Sequence, residues 1–245
     1  MRALLPTPAD DVDVHTCYAA DWVDSGGLRV NFVSSVDGAA QSGGKSAGLQ
    51  TAGDNTVFAA LRDLADVILA GAGTVTIEGY RAVVVSDERA QIRGEYGFRE
   101  VLPTAVISRS LRLDPDAALF ADAPLDARTI VLTCEAASAE RRSALEQVAD
   151  VAVCGGDTVD PALARAALEE RGLTRILSEG GPTAFAQLAA AGVVDELCLS
   201  FTPMLIGPGP GRITAGPDGW ELPARLHLAG VLEEDGALFL RYRMG

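Results

Sequence analysis

The chain predicts an α/β fold: three layers, with helices on both faces of a mixed, mostly parallel sheet. Three observations carry this. Short β-rich runs alternate with Ala/Leu-rich helical patterns from residue 66 to residue 192, as parallel βαβ units do. Residues 226–244 read as a hairpin turning at Asp235-Gly236, which adds antiparallel strands at the end. Apolar residues make up 48% of the 245 and charged residues 22%, enough to bury a sizeable core. No linker or repeat divides the chain, so 1–245 is read as one domain.

LRVNFVSS (28–35) is the first strand, followed by a polar, Gly-rich stretch. A helix is expected from about Asp54 to Leu64, with Asp54 as N-cap and Val57, Phe58, Leu61 and Leu64 on one face. DVILAG (66–71) is a buried strand ended by Gly71-Ala72-Gly73, and 104–109 and 129–134 are two more strands. The segment 111–127 between them reads as turn-rich linker. Residues 138–149 and 160–171 carry helical patterns. TRILSEGG (174–181) is a strand running into a glycine pair, and 182–192 a helix with Pro182 in its first turn and Gly192 past its end. Residues 195–205 form a long strand before the hairpin. The first twenty-five residues are acidic and turn-rich, and are expected to be mobile or to wrap a partner.

Charge excludes some partners. Thirty-four acids against 20 bases give −14, and Lys45 is the sole lysine. Such a chain is unsuited to nucleic acid or an anionic membrane surface. No apolar run approaches the ~20 residues of a membrane span, and MRALLPTPADDVD has no apolar signal-peptide region. A cytoplasmic protein is expected. Cys17, Cys134, Cys154 and Cys198 are widely spaced and read as buried thiols in a reducing compartment. His15 and His227 stand apart from any ligand cluster, so no metal site is expected.

Two corners carry chemistry. In open α/β sheets, ligands gather beyond the carboxyl ends of the strands. Here DVILAGAGT and RILSEGGPT each run from a strand through glycines into a helix. Free backbone N–H groups, a positive helix end and a Thr hydroxyl at each suit a phosphate. Neither is a full G-x-G-x-x-G, and G-x-x-x-x-G-K-[ST] is absent, so alone they support binding of a nucleotide-like anion. Glu179, between a buried strand and Gly180-Gly181, needs a partner to be tolerated there.

Four blocks together resemble one family: NFVSSVDGAAQSGGKSAG, LRDLADVILAGAGTVTIEGYRAV, ILSEGGPTAFAQL with AAGVVDELCLSFTPMLIG, and the closing hairpin. The chain resembles the reductase domain of riboflavin biosynthesis, with its dihydrofolate-reductase-like fold, and most of all the stand-alone actinobacterial pyrimidine reductases. The resemblance implies NADPH as cofactor, a small heterocyclic substrate such as 5-amino-6-(5-phosphoribosylamino)uracil, and a homodimer with the C-terminal strands near the interface. It places the nicotinamide half against Ser34, Ser35 and Asp37. It places the pyrophosphate on Gly71, Gly73, Thr74 and on Gly180, Gly181, Pro182, Thr183 and Ala184, with Glu78 beside the cofactor. The 2′-phosphate falls at Ser108-Arg109-Ser110, where a guanidinium suits a dianion. Ser46, Asp54, Arg62 and Glu179 are the implied substrate residues, with Asp54 and Glu179 catalytic.

The sequence departs from the pattern at two points. Where the family commonly has D-D-P-x-L-T-x-R, this chain has Ile77-Glu78-Gly79-Tyr80-Arg81-Ala82. Asp54 stands where dihydrofolate reductases carry an acid that assists protonation, which leaves a pterin reductase as the alternative reading. A nucleotide-binding sensor without catalysis is a third. The zinc-deaminase signatures H-x-E and P-C-x-x-C are absent, so deaminase activity is not expected.

Overall fold

The computed structural model describes residues 1–216 and 224–245. In chain order, the main elements are β1 (Arg2–Leu5), α1 (Val14–Ala19), α2 (Trp22–Ser25), β2 (Gly27–Ser35), α3 (Ala52–Asp63), β3 (Val67–Gly71), α4 (Ala72–Glu78) and α5 (Asp87–Glu95). There follow β4 (Thr104–Ile107), α6 (Ala118–Ala121), β5 (Ile130–Thr133), α7 (Ala139–Glu146), β6 (Asp150–Val153), α8 (Pro161–Glu169), β7 (Arg175–Ser178), α9 (Pro182–Ala190), β8 (Glu196–Thr202), β9 (Leu226–Glu234) and β10 (Ala237–Met244). The strands form one ten-stranded sheet in the order β1-β9-β10-β8-β2-β7-β3-β4-β5-β6. From β8 to β6 every neighbouring pair is parallel, and β10, β9 and β1 add antiparallel strands. The expected mixed α/β architecture, three layers closed by an antiparallel hairpin, is the one observed.

Strand alternation builds the layers. Ile68, Leu177, Cys198 and Phe239 meet Val57, Leu61 and Leu64 of α3 on one face. Val67, Leu69, Ile176 and Leu199 meet Ala164 and Leu168 of α8 and Phe185 and Leu188 of α9 on the other. Leu61 is fully enclosed, so Leu61→Ala would cost about 2–5 kcal/mol in transfer and cavity terms.

Several expected boundaries change. Thr51, not Asp54, caps α3: its side chain accepts from the Asp54 N–H at 3.1 Å, and Asp54 sits in the first turn. Residues 111–127 contain the short α6, and the helical pattern of 138–149 yields at Asp150 to β6, which pairs with β5. The long strand stops at Thr202 rather than at 205. Cys134, Cys154 and Cys198 are buried and free as expected, whereas Cys17 is half-buried.

The first twenty-five residues pack on the chain's own sheet. β1 pairs with β9 through Arg2↔Glu233 and Ala3↔Leu232, so the outer edge of the hairpin, expected to be free for a partner, is covered from within. A buried ion triad fastens the rest. Arg241 donates to both Glu196 oxygens at 2.9 Å, and Arg29 Nε lies 2.9 Å from Glu196 Oε1. The same two arginines hold the carbonyls of Cys17 (2.6 Å) and Tyr18 (2.5 Å), and Arg29 stacks 4.3 Å over the Trp22 ring. Burial opposes the Glu196 charge, but Arg241 and Arg29 outweigh it and hold the carboxyl below its ordinary value.

Candidate active site

At the carboxyl ends of β3 and β7 the two glycine corners touch. The Gly71 N–H donates to Gly180 O at 2.8 Å. A Cβ on Gly181 would lie 2.3 Å from Thr74 Oγ1, and one on Gly180, whose φ is +94°, would lie 2.9 Å from the Phe32 ring. Only glycine fits at 180 and 181. The N-caps of α4 and α9 are Gly71 and Gly181, and neither helix end receives a side-chain cap. Backbone donors and the Thr74 hydroxyl thus converge on one point, which suits the diphosphate of a dinucleotide. Pro182 lines the cleft beside Gly181; Ala184 is buried against Gly71, and Thr183 is exposed on the same turn.

A cleft of about 310 Å³ opens beside this point. Among its lining residues are Asn31, Ser46, Asp54, Arg62, Thr74, Glu78, Tyr80, Glu179 and Arg212. The implied substrate residues therefore share one cavity, together with Thr74, Glu78, Gly181 and Pro182 from the implied cofactor set.

Glu179 finds the partners its burial demands. Arg62 grips it twice, Nε to Oε1 at 2.7 Å and Nη2 to Oε2 at 2.8 Å, and the Tyr80 hydroxyl donates to Oε2 at 2.6 Å. The Arg62 guanidinium also stacks 4.4 Å over Phe58. Burial alone would favour neutral arginine, but the Glu179 carboxylate outweighs it and raises the Arg62 pKa. Burial, then Glu179, raises the Tyr80 phenol far above its ordinary value, so it stays a donor. Arg62 and Glu179, expected to meet ligand separately, instead form one wall.

Asp54 is 4% exposed at the cleft's inner end. Burial raises its pKa, and a hydrogen bond from Ser200 offsets part of the rise. The carboxyl therefore holds a proton to higher pH than a surface aspartate.

The remaining expected residues act otherwise. Ser34 Oγ donates to Ser35 O (3.0 Å), Ser35 Oγ to Asp37 (2.5 Å), and Asp37 accepts from the N–H groups of Ile206 (3.2 Å) and Gly207 (2.7 Å). The S-x-D-G turn thus fastens the loop after β2 to the loop after β8, and its side chains do not line the cleft. Glu78 accepts from Ser46 N (3.1 Å) and Oγ (3.2 Å), tying α4 to the Gly-rich loop rather than projecting freely. Ser108 Oγ accepts from Leu111 N–H at 3.1 Å, and Arg109 Nε donates to Asp157 O at 2.8 Å. Both lie beyond β4, on the carboxyl edge of the sheet and outside the cleft. In the departing segment, Gly79 ends α4 at φ +73° and turns Tyr80 inward, while Arg81 turns out to Asp122.

Asn31, Phe58, Tyr80 and Arg212 are cleft residues that sequence reasoning missed. Tyr80 was visible as the centre of the departing segment; Asn31 was hidden inside an apolar strand.

The model of the RibD C-terminal domain matches residues 27–236. The chain belongs to this family. A 2,5-diamino-6-ribosylamino-4(3H)-pyrimidinone 5′-phosphate reductase of Archaeoglobus fulgidus is 29% identical over 73% of this chain and 80% of its own. The enzyme of that name from Methanothermobacter thermautotrophicus is 29% identical over 65% and 69%. Among solved structures, a pyrimidine reductase-like protein from Corynebacterium diphtheriae superposes with a TM-score of 0.85 at 28% identity, covering 96% of this chain and 99% of that one. The riboflavin biosynthesis reductase Rib7 of Saccharomyces cerevisiae shares the fold, with a TM-score of 0.65 at 17% identity and 90% coverage of both. For this RibD C-terminal domain, no helix among the described residues is long and apolar enough to cross a membrane.

Proposed function

We propose that this chain is an NADPH-dependent reductase of riboflavin biosynthesis that delivers hydride to a ribosylaminopyrimidine 5′-phosphate. Membership of the RibD C-terminal domain family and the names of its relatives support the reaction class. The observation that carries the reading is a buried, proton-holding Asp54 in the cleft that adjoins the paired glycine corners.

A bound reduced nicotinamide cofactor supplies the hydride. Its diphosphate lies on Thr74 and the Gly181-Pro182-Thr183 turn, and its adenosine 2′-phosphate on Ser108-Arg109-Ser110 at the end of β4. The ribosylamino carbon, in its open imine form, accepts the hydride while the adjacent nitrogen accepts a proton. Asp54 is the donor for that proton. Glu179, fixed by Arg62 and Tyr80, orients the ring by accepting an N–H or O–H. Ser46, held by Glu78, positions the loop over the substrate. Residues 1–245 act as one domain, and the homodimer forms through the exposed Leu4, Leu5 and Leu228 beside the covered hairpin edge.

The test is oxidation of NADPH and of NADH, side by side, with 5-amino-6-(5-phosphoribosylamino)uracil, its 2-amino counterpart and dihydrofolate. Turnover of a pyrimidine with NADPH ahead of NADH is expected. Turnover of dihydrofolate alone, or of nothing, would end this reading.

A further inference from the structure

We propose that Asn31 is a specificity residue, selecting a pyrimidine that carries an amino group rather than a carbonyl between its two ring nitrogens. The proposal rests on the pyrimidine-reductase reading above and names its substrate class more sharply.

Asn31 lies in β2, in register with Cys198 of β8, and its side chain lines the cleft. Its Oδ1 is buried and meets no donor among the described residues. A buried carbonyl oxygen left unpaired is costly, and such a group in a cleft is complementary to an N–H of whatever fills it. An amide oxygen can only accept. Asp54 lines the same cleft and, ionised or protonated, offers an acceptor oxygen too. The buried lining therefore presents two acceptors.

The two pyrimidines named among the relatives differ at this edge. Archaeal relatives are named for the 2,5-diamino-4(3H)-pyrimidinone, and a Thermotoga maritima structure with the same fold for the uracil. In the diamino compound the 2-amino group and the neighbouring ring N–H form two adjacent donors. In the uracil that N–H stands between two carbonyls. Two acceptors pair with the first edge, whereas the second sets a carbonyl against Asn31 Oδ1 and leaves both oxygens unpaired. Discrimination by a polar group left unpaired is stronger than discrimination by fit alone.

The experiment measures kcat/KM with NADPH for both pyrimidines, on the natural chain and on Asn31→Asp and Asn31→Leu. The natural chain is expected to prefer the diamino compound by about tenfold or more. Asn31→Asp, which keeps an acceptor, is expected to keep that preference. Asn31→Leu, of similar size but without an acceptor, is expected to bring the two within about threefold, chiefly by slowing the diamino compound. A natural preference below tenfold, a preference for the uracil, or an unchanged ratio in Asn31→Leu would overturn the proposal. Should Asn31→Leu fail to fold, the natural ratio and Asn31→Asp decide it. Turnover of neither pyrimidine would instead sink the reductase reading, and this proposal with it.

Discussion

Arg62→Met removes both hydrogen bonds to Glu179, at 2.7 and 2.8 Å, and leaves a carboxylate whose side chain is 2% exposed. Breaking a buried pair by deleting one partner costs about 3–5 kcal/mol, because the survivor keeps its desolvation penalty. Tyr80 still donates at 2.6 Å, and methionine keeps the apolar stem against Phe58, so the lower end, about 3 kcal/mol, is expected. For a chain of this length each kcal/mol shifts Tm by about 2–4 °C, giving a fall of roughly 6–12 °C. Adding Glu179→Gln removes the stranded charge and is expected to recover all but about 1 kcal/mol. Thermal and urea unfolding followed by circular dichroism measure both variants without reference to activity. A single variant within about 1 kcal/mol of the natural chain, or a double variant no better than the single, would refute the reasoning.

Asp54→Asn is expected to slow turnover by about 10²–10⁴-fold while NADPH affinity stays within about twofold; a kinetic loss under tenfold would remove Asp54 as proton donor. Because burial raises the Asp54 pKa, its ionised form weakens the fold: no deficit exists in acid, and one appears as pH rises through the raised value. Urea unfolding should therefore find Asp54→Asn more stable than the natural chain at neutral pH and no more stable in acid. His15 is raised chiefly by its bond to Asp63, 3.0 Å away. Its contribution is present below the ordinary imidazole pKa and lost as pH rises through the raised one, so His15→Ala should destabilise in mild acid and have little effect in alkali. Gly181→Ala drives a Cβ to 2.3 Å from Thr74 Oγ1. NADPH affinity by fluorescence titration should fall by about tenfold or more, and improve again when Thr74→Ala is added; no recovery would place the clash elsewhere.

The parallel strands were legible because they are buried on both faces and read as unbroken apolar runs, as VILAG and RILS do. The need of Glu179 for a partner was legible too, since the cost of a buried carboxylate does not depend on who meets it. Who meets it was not: Arg62 and Tyr80 lie 117 and 99 residues away. Thr51 and Asp54 are both good N-caps, and only the backbone at 51 decides between them. β6 was missed because a short edge strand, exposed at both ends, leaves no buried run. α5 was missed because its buried residue is an arginine: Arg93 is fully enclosed and donates to the carbonyls of Asp63, Ala65, Arg99 and Val101, a role no hydrophobic period betrays. Asn31 was invisible for the reason it matters, a lone polar group within an apolar strand.

The strand order has a consequence for how the chain is made. β2 is among the first segments to leave the ribosome, yet both of its neighbours, β7 and β8, come from the last third of the chain. β1 waits longer still, since its partner β9 begins at Leu226. The nascent chain therefore carries an apolar central strand with neither edge covered until synthesis is almost over. Such a topology folds late and slowly, because loop closure must precede the contacts that reward it. During that interval the exposed strand is the natural target of a holding chaperone, and the cleft, which needs Asn31, Asp54 and Glu179 together, is among the last features to form.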